Sequence, residues 1–253
     1  MDNIISIKNI LFGYQEDKDV FKDFSVEIPR GVTAFIGQNG TGKSTLMLLA
    51  AGRLLPEQGE VILLGKKTKD IKDEEELNSK ASIIYQNMEF DTDEKIGDLL
   101  KYVYNSGHHT KSSDHSLISE IIEVLELQDS LDKKTNIASK GEMQRVVIAF
   151  ALLFGSPIIF MDEPVFALEN HQKDKVFKYV VDYAHKHSIN IIYSIHDLDI
   201  SKKFSDNVGL LYKDGKLKIG KRDEILTKEN LEDAYQVPMH LLYDREKLNR
   251  ETL

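Results

Sequence analysis

The sequence predicts an α/β fold: a parallel sheet covered by crossover helices, with an N-terminal antiparallel β subdomain and an inserted helical subdomain. Three observations predict it. Short, continuously apolar runs alternate with helical patterns after residue 31, the rhythm of strand, crossover helix and parallel strand. One junction in that alternation is a glycine loop, GQNGTGKST from Gly37 to Thr45, set between an apolar run and a helix-forming one. A mostly helical stretch, from about Asn87 to Leu153, then interrupts the rhythm.

Taken in order, Ile4 to Ile10 and Phe24 to Ile28 alternate apolar and polar residues like half-buried strands. Val32 to Ile36 is apolar throughout, as a central strand covered on both faces should be. Ser82 to Tyr85, Ile158 to Met161 and Asn190 to Ser194 read alike. Helical patterns fall at Ser44 to Ala51, Ile96 to Tyr104, Leu117 to Leu127, Gly141 to Phe154 and Gln172 to His187. Lys66 to Asn78 reads as a charged surface connection, and the acidic run Asp73 to Glu76 within it as a solvated face. Residues 87–153 form the expected inserted subdomain, with the polar loop Asn105 to His115 inside it, and 241–253 a C-terminal tail.

Composition excludes several classes. The chain of 253 residues has no cysteine, so neither disulfides nor thiolate metal sites are expected. Its net charge of −9 is spread along the chain without a basic stripe, so no nucleic-acid partner is expected. The N-terminus MDNIISIKNI has neither a basic n-region nor a long apolar h-region, which argues against a signal peptide. The most membrane-like stretch, Val146 to Met161, is short and broken by Gly155-Ser156-Pro157, and reads as a buried helix followed by a buried strand.

The glycine loop fits G-x-x-x-x-G-K-[ST] in the strand–loop–helix setting that gives the pattern its mechanism, the core of a P-loop NTPase. Gly37, Gly40 and Gly42 let bare N–H groups approach phosphate oxygens. The helix that follows aims its N-terminal amides and positive dipole end at the same anion. Lys43 supplies a cation for the β- and γ-phosphates and Ser44 a hydroxyl for Mg²⁺, while Gln38, Asn39, Thr41 and Thr45 complete the cradle. Met161-Asp162-Glu163-Pro164 follows an apolar strand directly, placing two carboxylates in the crevice where open α/β sheets bind ligands. Asp162 can hold Mg²⁺, and Glu163 can orient or deprotonate an attacking water.

The stretch NIASKGEMQR, Asn136 to Arg145, resembles the signature LSGGQxQR of ABC-type ATPases, with Ser139, Gly141, Glu142, Gln144 and Arg145 in register. The resemblance runs from about Ile4 to Val237 and makes residues 1–253 a single ABC ATPase domain. It implies that ATP on one subunit's phosphate loop is covered by Ser139, Gly141 and Glu142 of a second, head to tail. Tyr14, after Phe12-Gly13, resembles the aromatic that stacks on adenine. Gln86, ending Ile83-Ile84-Tyr85, resembles the glutamine that approaches Mg²⁺ and the attacking water. His196, ending Ile192 to Ile195, resembles the switch histidine that contacts the γ-phosphate. Two positions depart from the pattern: Lys140 replaces the first signature glycine, and Ala167-Leu168-Glu169 replaces the usual Ala-Leu-Asp. The lysine either tolerates the backbone conformation of a glycine or alters the loop.

The function expected is the ATP-binding subunit of an ABC transporter, a cytoplasmic protein peripheral to the membrane's inner face. It would hydrolyse ATP with Mg²⁺, pair with a second ATPase subunit (a second copy or a paralogue), and drive separate transmembrane permease subunits. Leu211 to Lys216, Asp223 to Thr227 and Glu229 to Leu231 resemble the C-terminal part of subunits energising iron–siderophore, haem and cobalamin import. The competing readings are a soluble ABC ATPase acting as an ATP-dependent clamp or assembly factor, and a module in which Lys140 has disabled turnover. His108, His109 and His115 lie in a Ser/Lys/Asp-rich loop and read as solvated side chains, and His185 and His187 as last-turn helix residues.

Overall fold

The structure, a computed structural model, describes residues 3–15, 18–86, 88, 90, 92–108 and 116–242. The strands are β1 (Asn3–Gly13), β2 (Asp19–Pro29), β3 (Val32–Gly37), β4 (Gln58–Leu63), β5 (Lys66–Lys67), β6 (Ala81–Ile84), β7 (Ile158–Asp162), β8 (Asn190–Ser194), β9 (Asn207–Leu211) and β10 (Leu217–Lys221). The helices are α1 (Lys43–Ala50), α2 (Glu74–Lys80), α3 (Ile96–Ser106), α4 (Ser116–Val124), α5 (Lys140–Phe154), α6 (Asn170–His187), α7 (Leu198–Phe204), α8 (Arg222–Ile225) and α9 (Lys228–Tyr235).

Two sheets form. One is antiparallel, ordered β2-β1-β4-β5. The other runs β10-β9-β3-β8-β7-β6 and is parallel except for its β9–β10 edge. The continuously apolar strands are those covered on both faces, and the two-residue period divides each between two cores. Val32, Ala34 and Ile36 of β3, Ile159 and Met161 of β7, and Ile191 and Tyr193 of β8 pack with α3 to α7. Phe35, Ile158, Phe160 and Ile192 pack instead with α1 and the antiparallel sheet.

The expected α/β architecture, parallel core and antiparallel N-terminal sheet are all present. Helices α3, α4 and α5 fall between β6 and β7 in the chain, and α5 runs one residue past the stretch 87–153, to Phe154. Of the tail, only residues 241 and 242 are described; 243–253 lie outside the described residues, as do His109 and His115. Lys66 to Asn78 differs from the expected connection. It holds β5 and most of α2, whose first turn is capped by the Asp73 side chain accepting from Glu76 N–H at 2.8 Å. The acidic run is therefore a helix start, where carboxylates meet the dipole's positive end. Glu74 pairs with Arg53 and Glu76 with Lys66. Helix α4 stops at Val124 rather than Leu127, because Glu126 takes φ +54° and Leu127 N–H turns back to the Ile122 carbonyl at 2.9 Å.

Strands β4 and β9 carry little signal of their own. β4 opens Gln58-Gly59-Glu60 and is specified by pairing with β1. β9 contains Gly209, a poor strand former, because an added Cβ there would stand 2.5 Å from the Phe35 ring. No helix of the described residues is long and apolar enough to cross a membrane.

Candidate functional site

The phosphate loop leaves the C-terminal end of β3, a strand flanked by β8 and β9 in the middle of the parallel sheet. Gly37, Gly40 and Gly42 all take positive φ, at 142°, 77° and 93°. Gly42 is the N-cap of α1 and is left-handed, so no side chain caps that helix and no acidic residue occupies its first turn. Its N-terminal amides are left for an anion. An added Cβ at Gly42 would also stand 2.9 Å from the Phe21 ring, so the position is closed to other residues on both counts.

Within the loop Lys43 is buried and donates from Nζ to the carbonyls of Gly37 at 2.9 Å and Gln38 at 3.0 Å. Burial pushes its ammonium pKa down, and the negative charges of Glu163 and Asp162 push it back up. Thr41 and Thr45 are buried; Asn39, Gly40 and Ser44 face solvent. Thr41 Oγ1 donates to the Gln38 carbonyl at 3.0 Å. Tyr14 lies beside the loop with its hydroxyl 3.2 Å from Thr45 Oγ1 and its ring 61% exposed, edge-on to Phe12.

Asp162 and Glu163 end β7 next to β8. Glu163 Oε2 accepts from Gln86 Nε2 at 3.1 Å, and Oε1 lies 2.9 Å from His196 Nε2. Three residues from three strand ends thus meet at one carboxylate. Glu163 also holds a left-handed φ of +48°, a strained conformation for a residue with a Cβ, and its N–H is fixed by the Ser194 carbonyl at 3.2 Å and Oγ at 3.1 Å. Ser194 Oγ also donates to Asp162 Oδ1. One serine therefore orients both acidic residues. Sequence reasoning passed over Ser194 because it lies inside a strand, and only the β7–β8 pairing of Asp162 with Ser194 reveals its role.

The signature residues start α5, on a different part of the chain's surface chemistry. Ser139 is the N-cap and forms a reciprocal box with Glu142: Glu142 N–H donates to Ser139 Oγ at 3.2 Å, and Ser139 N–H to Glu142 Oε2 at 2.8 Å. Lys133 Nζ at 2.6 Å and Ser130 Oγ at 2.7 Å hold the other carboxylate oxygen. Led by the Lys133 hydrogen bond, these contacts pull the Glu142 pKa from 4.5 to about 2. Lys140 occupies the first helical position, exposed and with no positive φ, so its backbone needs no glycine. Gly141 is close-packed: an added Cβ would stand 3.1 Å from the Ala167 carbonyl. Glu169 is the N-cap of α6 without a side-chain cap bond, and its carboxylate instead faces His171 Nδ1 at 3.3 Å.

Comparison with known proteins shows the family of the chain. Residues 21–166 match the family model described as ABC transporter. The energy-coupling factor transporter ATP-binding protein EcfA1 of Staphylococcus aureus is 30% identical over 224 residues, 85% of this chain and 82% of that protein. An ABC transporter ATP-binding protein of Archaeoglobus fulgidus is 28% identical over 230 residues, 90% of this chain and 94% of that one. A dimeric ATP-binding cassette, solved in a post-hydrolysis state with ADP and Pi, shares the fold with a TM-score of 0.73 at 24% identity, covering 86% of this chain and 98% of that one.

Proposed function

The chain belongs to the ABC transporter family as an ATP-binding subunit, and from that premise we propose that it hydrolyses ATP between two head-to-tail copies or paralogues to drive import by separate membrane subunits. The observation that carries the chemistry is the meeting of Gln86, Glu163 and His196 beside Lys43 at the C-terminal edge of the parallel sheet.

Lys43 and the amides of the loop bind the triphosphate, and Tyr14 offers its exposed ring to adenine. Glu163 accepts the proton of the attacking water, held in place by Gln86, His196 and the Ser194 bonds to its N–H. His196 steadies the γ-phosphate oxygens. The donors that would hold Mg²⁺ are Ser44, Asp162 and Gln86, all oxygen ligands suited to a hard cation. When bound, Mg²⁺ neutralises charge developing on the β- and γ-oxygens.

Ser139 and Gly141, at the start of α5, cover the γ-phosphate bound by the other subunit, so hydrolysis releases the closed pair. The helices of residues 87–153 and the segment after Gln86 meet the permease. Import rather than export rests on the C-terminal resemblance and on the likeness to EcfA1. The subunit works on the cytoplasmic face of the membrane.

Glu163→Gln tests this reading. It keeps the side chain's shape and removes the base, so ATP turnover should fall at least about a hundredfold while binding persists. The variant should then run as a dimer on size exclusion with ATP and as a monomer without it. A monomer under both conditions counts against the head-to-tail arrangement.

A further inference from the structure

Helix α9 takes no part in the chemistry above, yet it is bonded to the phosphate loop. Gly37 N–H donates to the Tyr235 hydroxyl at 3.1 Å, and Gln38 Nε2 donates to the Ala234 carbonyl at 2.9 Å. These bonds join residues 198 and 196 positions apart, from the last two residues of α9 to the first two of the loop. The helix is itself well anchored. Thr227 caps it by accepting from Asn230 N–H at 3.3 Å, Leu231 and Ala234 are buried in the main core, and Glu232 accepts from Met239 N–H at 2.8 Å beyond its end.

The same two loop residues are also held within the loop, by Lys43 Nζ on both carbonyls and by Thr41 Oγ1 on that of Gln38. Lys43 is also the loop's phosphate cation. Whatever its ammonium gives up on turning to a phosphate, Tyr235 and Ala234 keep, because their bonds lie on the N–H of Gly37 and the side chain of Gln38. The peptide that opens the loop thus has a hold independent of the lysine. Gly37 needs one: its φ of +142° is glycine territory, where the backbone has many alternatives to lose on ordering.

We propose that Tyr235 is a positioning residue for ATP: its hydroxyl fixes the first peptide of the phosphate loop, so that α9 sets the loop's affinity for nucleotide. The inference rests on the reading of Gly37 to Thr45 as the ATP site. Tyr235 acts through the loop and touches no reacting atom. It belongs to the preorganisation of the site, which governs affinity.

Tyr235→Phe keeps the ring, partly buried against the core, and removes the acceptor. Loss of one such hydrogen bond should raise both the Kd for ATP and KM about three- to tenfold, with kcat within about twofold of the parent. The Gly37 amide should exchange its hydrogen faster, while the melting temperature of the nucleotide-free protein stays near that of the parent. A merely structural tyrosine would instead lower the melting temperature and leave the split between KM and kcat untouched. Unchanged Kd and KM in a folded Tyr235→Phe protein overturns the proposal, as does a fall in kcat at constant KM. Parallel titrations of the parent and of Lys43→Ala separate the two levels of inference. If the parent binds ATP and Lys43→Ala does not, the site stands whatever Tyr235→Phe shows; if both bind ATP equally, the site assignment itself fails.

Discussion

At Lys43, burial among loop carbonyls works against the ammonium charge, and Asp162 and Glu163 work to restore it. Under the proposed function a triphosphate at the loop would add negative charge near those carboxylates, and the lysine would be the cation that makes their proximity tolerable. Lys43→Ala removes the only side-chain cation that the loop motif carries. Its affinity for ATP, read from a fluorescent-nucleotide titration, should weaken at least about a hundredfold, the loss expected of a charge-assisted contact in a partly desolvated site. Glu163 shows a complementary device. Its carboxylate is held at both oxygens, and its backbone is held in a left-handed conformation by Ser194, so the side chain is placed by neighbours rather than by its own preferences. Lys43, Asp162 and Glu163 were singled out by motif and strand-end position, and Gln86 and His196 by the family resemblance. Ser194 and Tyr235 were not, since a serine in a strand and a tyrosine in a short helix look the same whether or not a loop lies against them.

Among the elements, α5 begins with the tightest local bonding. The Ser139–Glu142 box satisfies two helix-end amides, and Lys133 and Ser130 then hold the Glu142 carboxylate from outside the helix. The signature turn is therefore rigid before any partner approaches it. Glu142 titrates near 4.5 in the unfolded chain and near 2 in the fold. Its contribution to stability is complete above pH 4.5 and is lost as pH falls from there toward 2. Glu142→Gln should cost about 1–2 kcal/mol at pH 7 in urea unfolding, and the gap from the parent should narrow as the pH is lowered from about 5 to 3. Amphipathic α3 and the core strands β1, β2, β3, β6, β7 and β8 were readable from their apolar patterns, whereas β4 and β9 were not. Helix α2 was not, because its three leading residues are acidic and only the Asp73 cap together with the Arg53 and Lys66 partners makes them a helix start.

Over the whole molecule, β3 is the axis: one face of it enters each core, β8 and β9 flank it, and the phosphate loop grows from its end. The loop is thereby carried by a strand buried at every residue, while the signature turn sits at the start of α5, between β6 and β7. Lys140 matters at this scale. It is exposed at the first position of α5 and has no strain to relieve, so Lys140→Gly should change folding stability by no more than about 1 kcal/mol. If Ser139 and Gly141 cover the other subunit's γ-phosphate as proposed, Lys140 adds a cation beside it. In a Glu163→Gln background, ATP-dependent dimerisation measured by light scattering should weaken with added salt, and Lys140→Gly should flatten that dependence.

The sequence by itself determined the fold class, the phosphate loop, the paired acids and the family, because these rest on short-range patterns: two- and 3.6-residue periods, glycines that free the backbone, and motifs whose spacing is their mechanism. Only the tertiary structure decided what surrounds them. It brought Gln86 and His196 onto Glu163, put Ser194 under both acids, and laid α9 against Gly37. Those contacts join residues that are distant in the chain, and hydrogen bonds between such partners are chosen by the packing of strands and helices rather than by any local preference of the residues that make them.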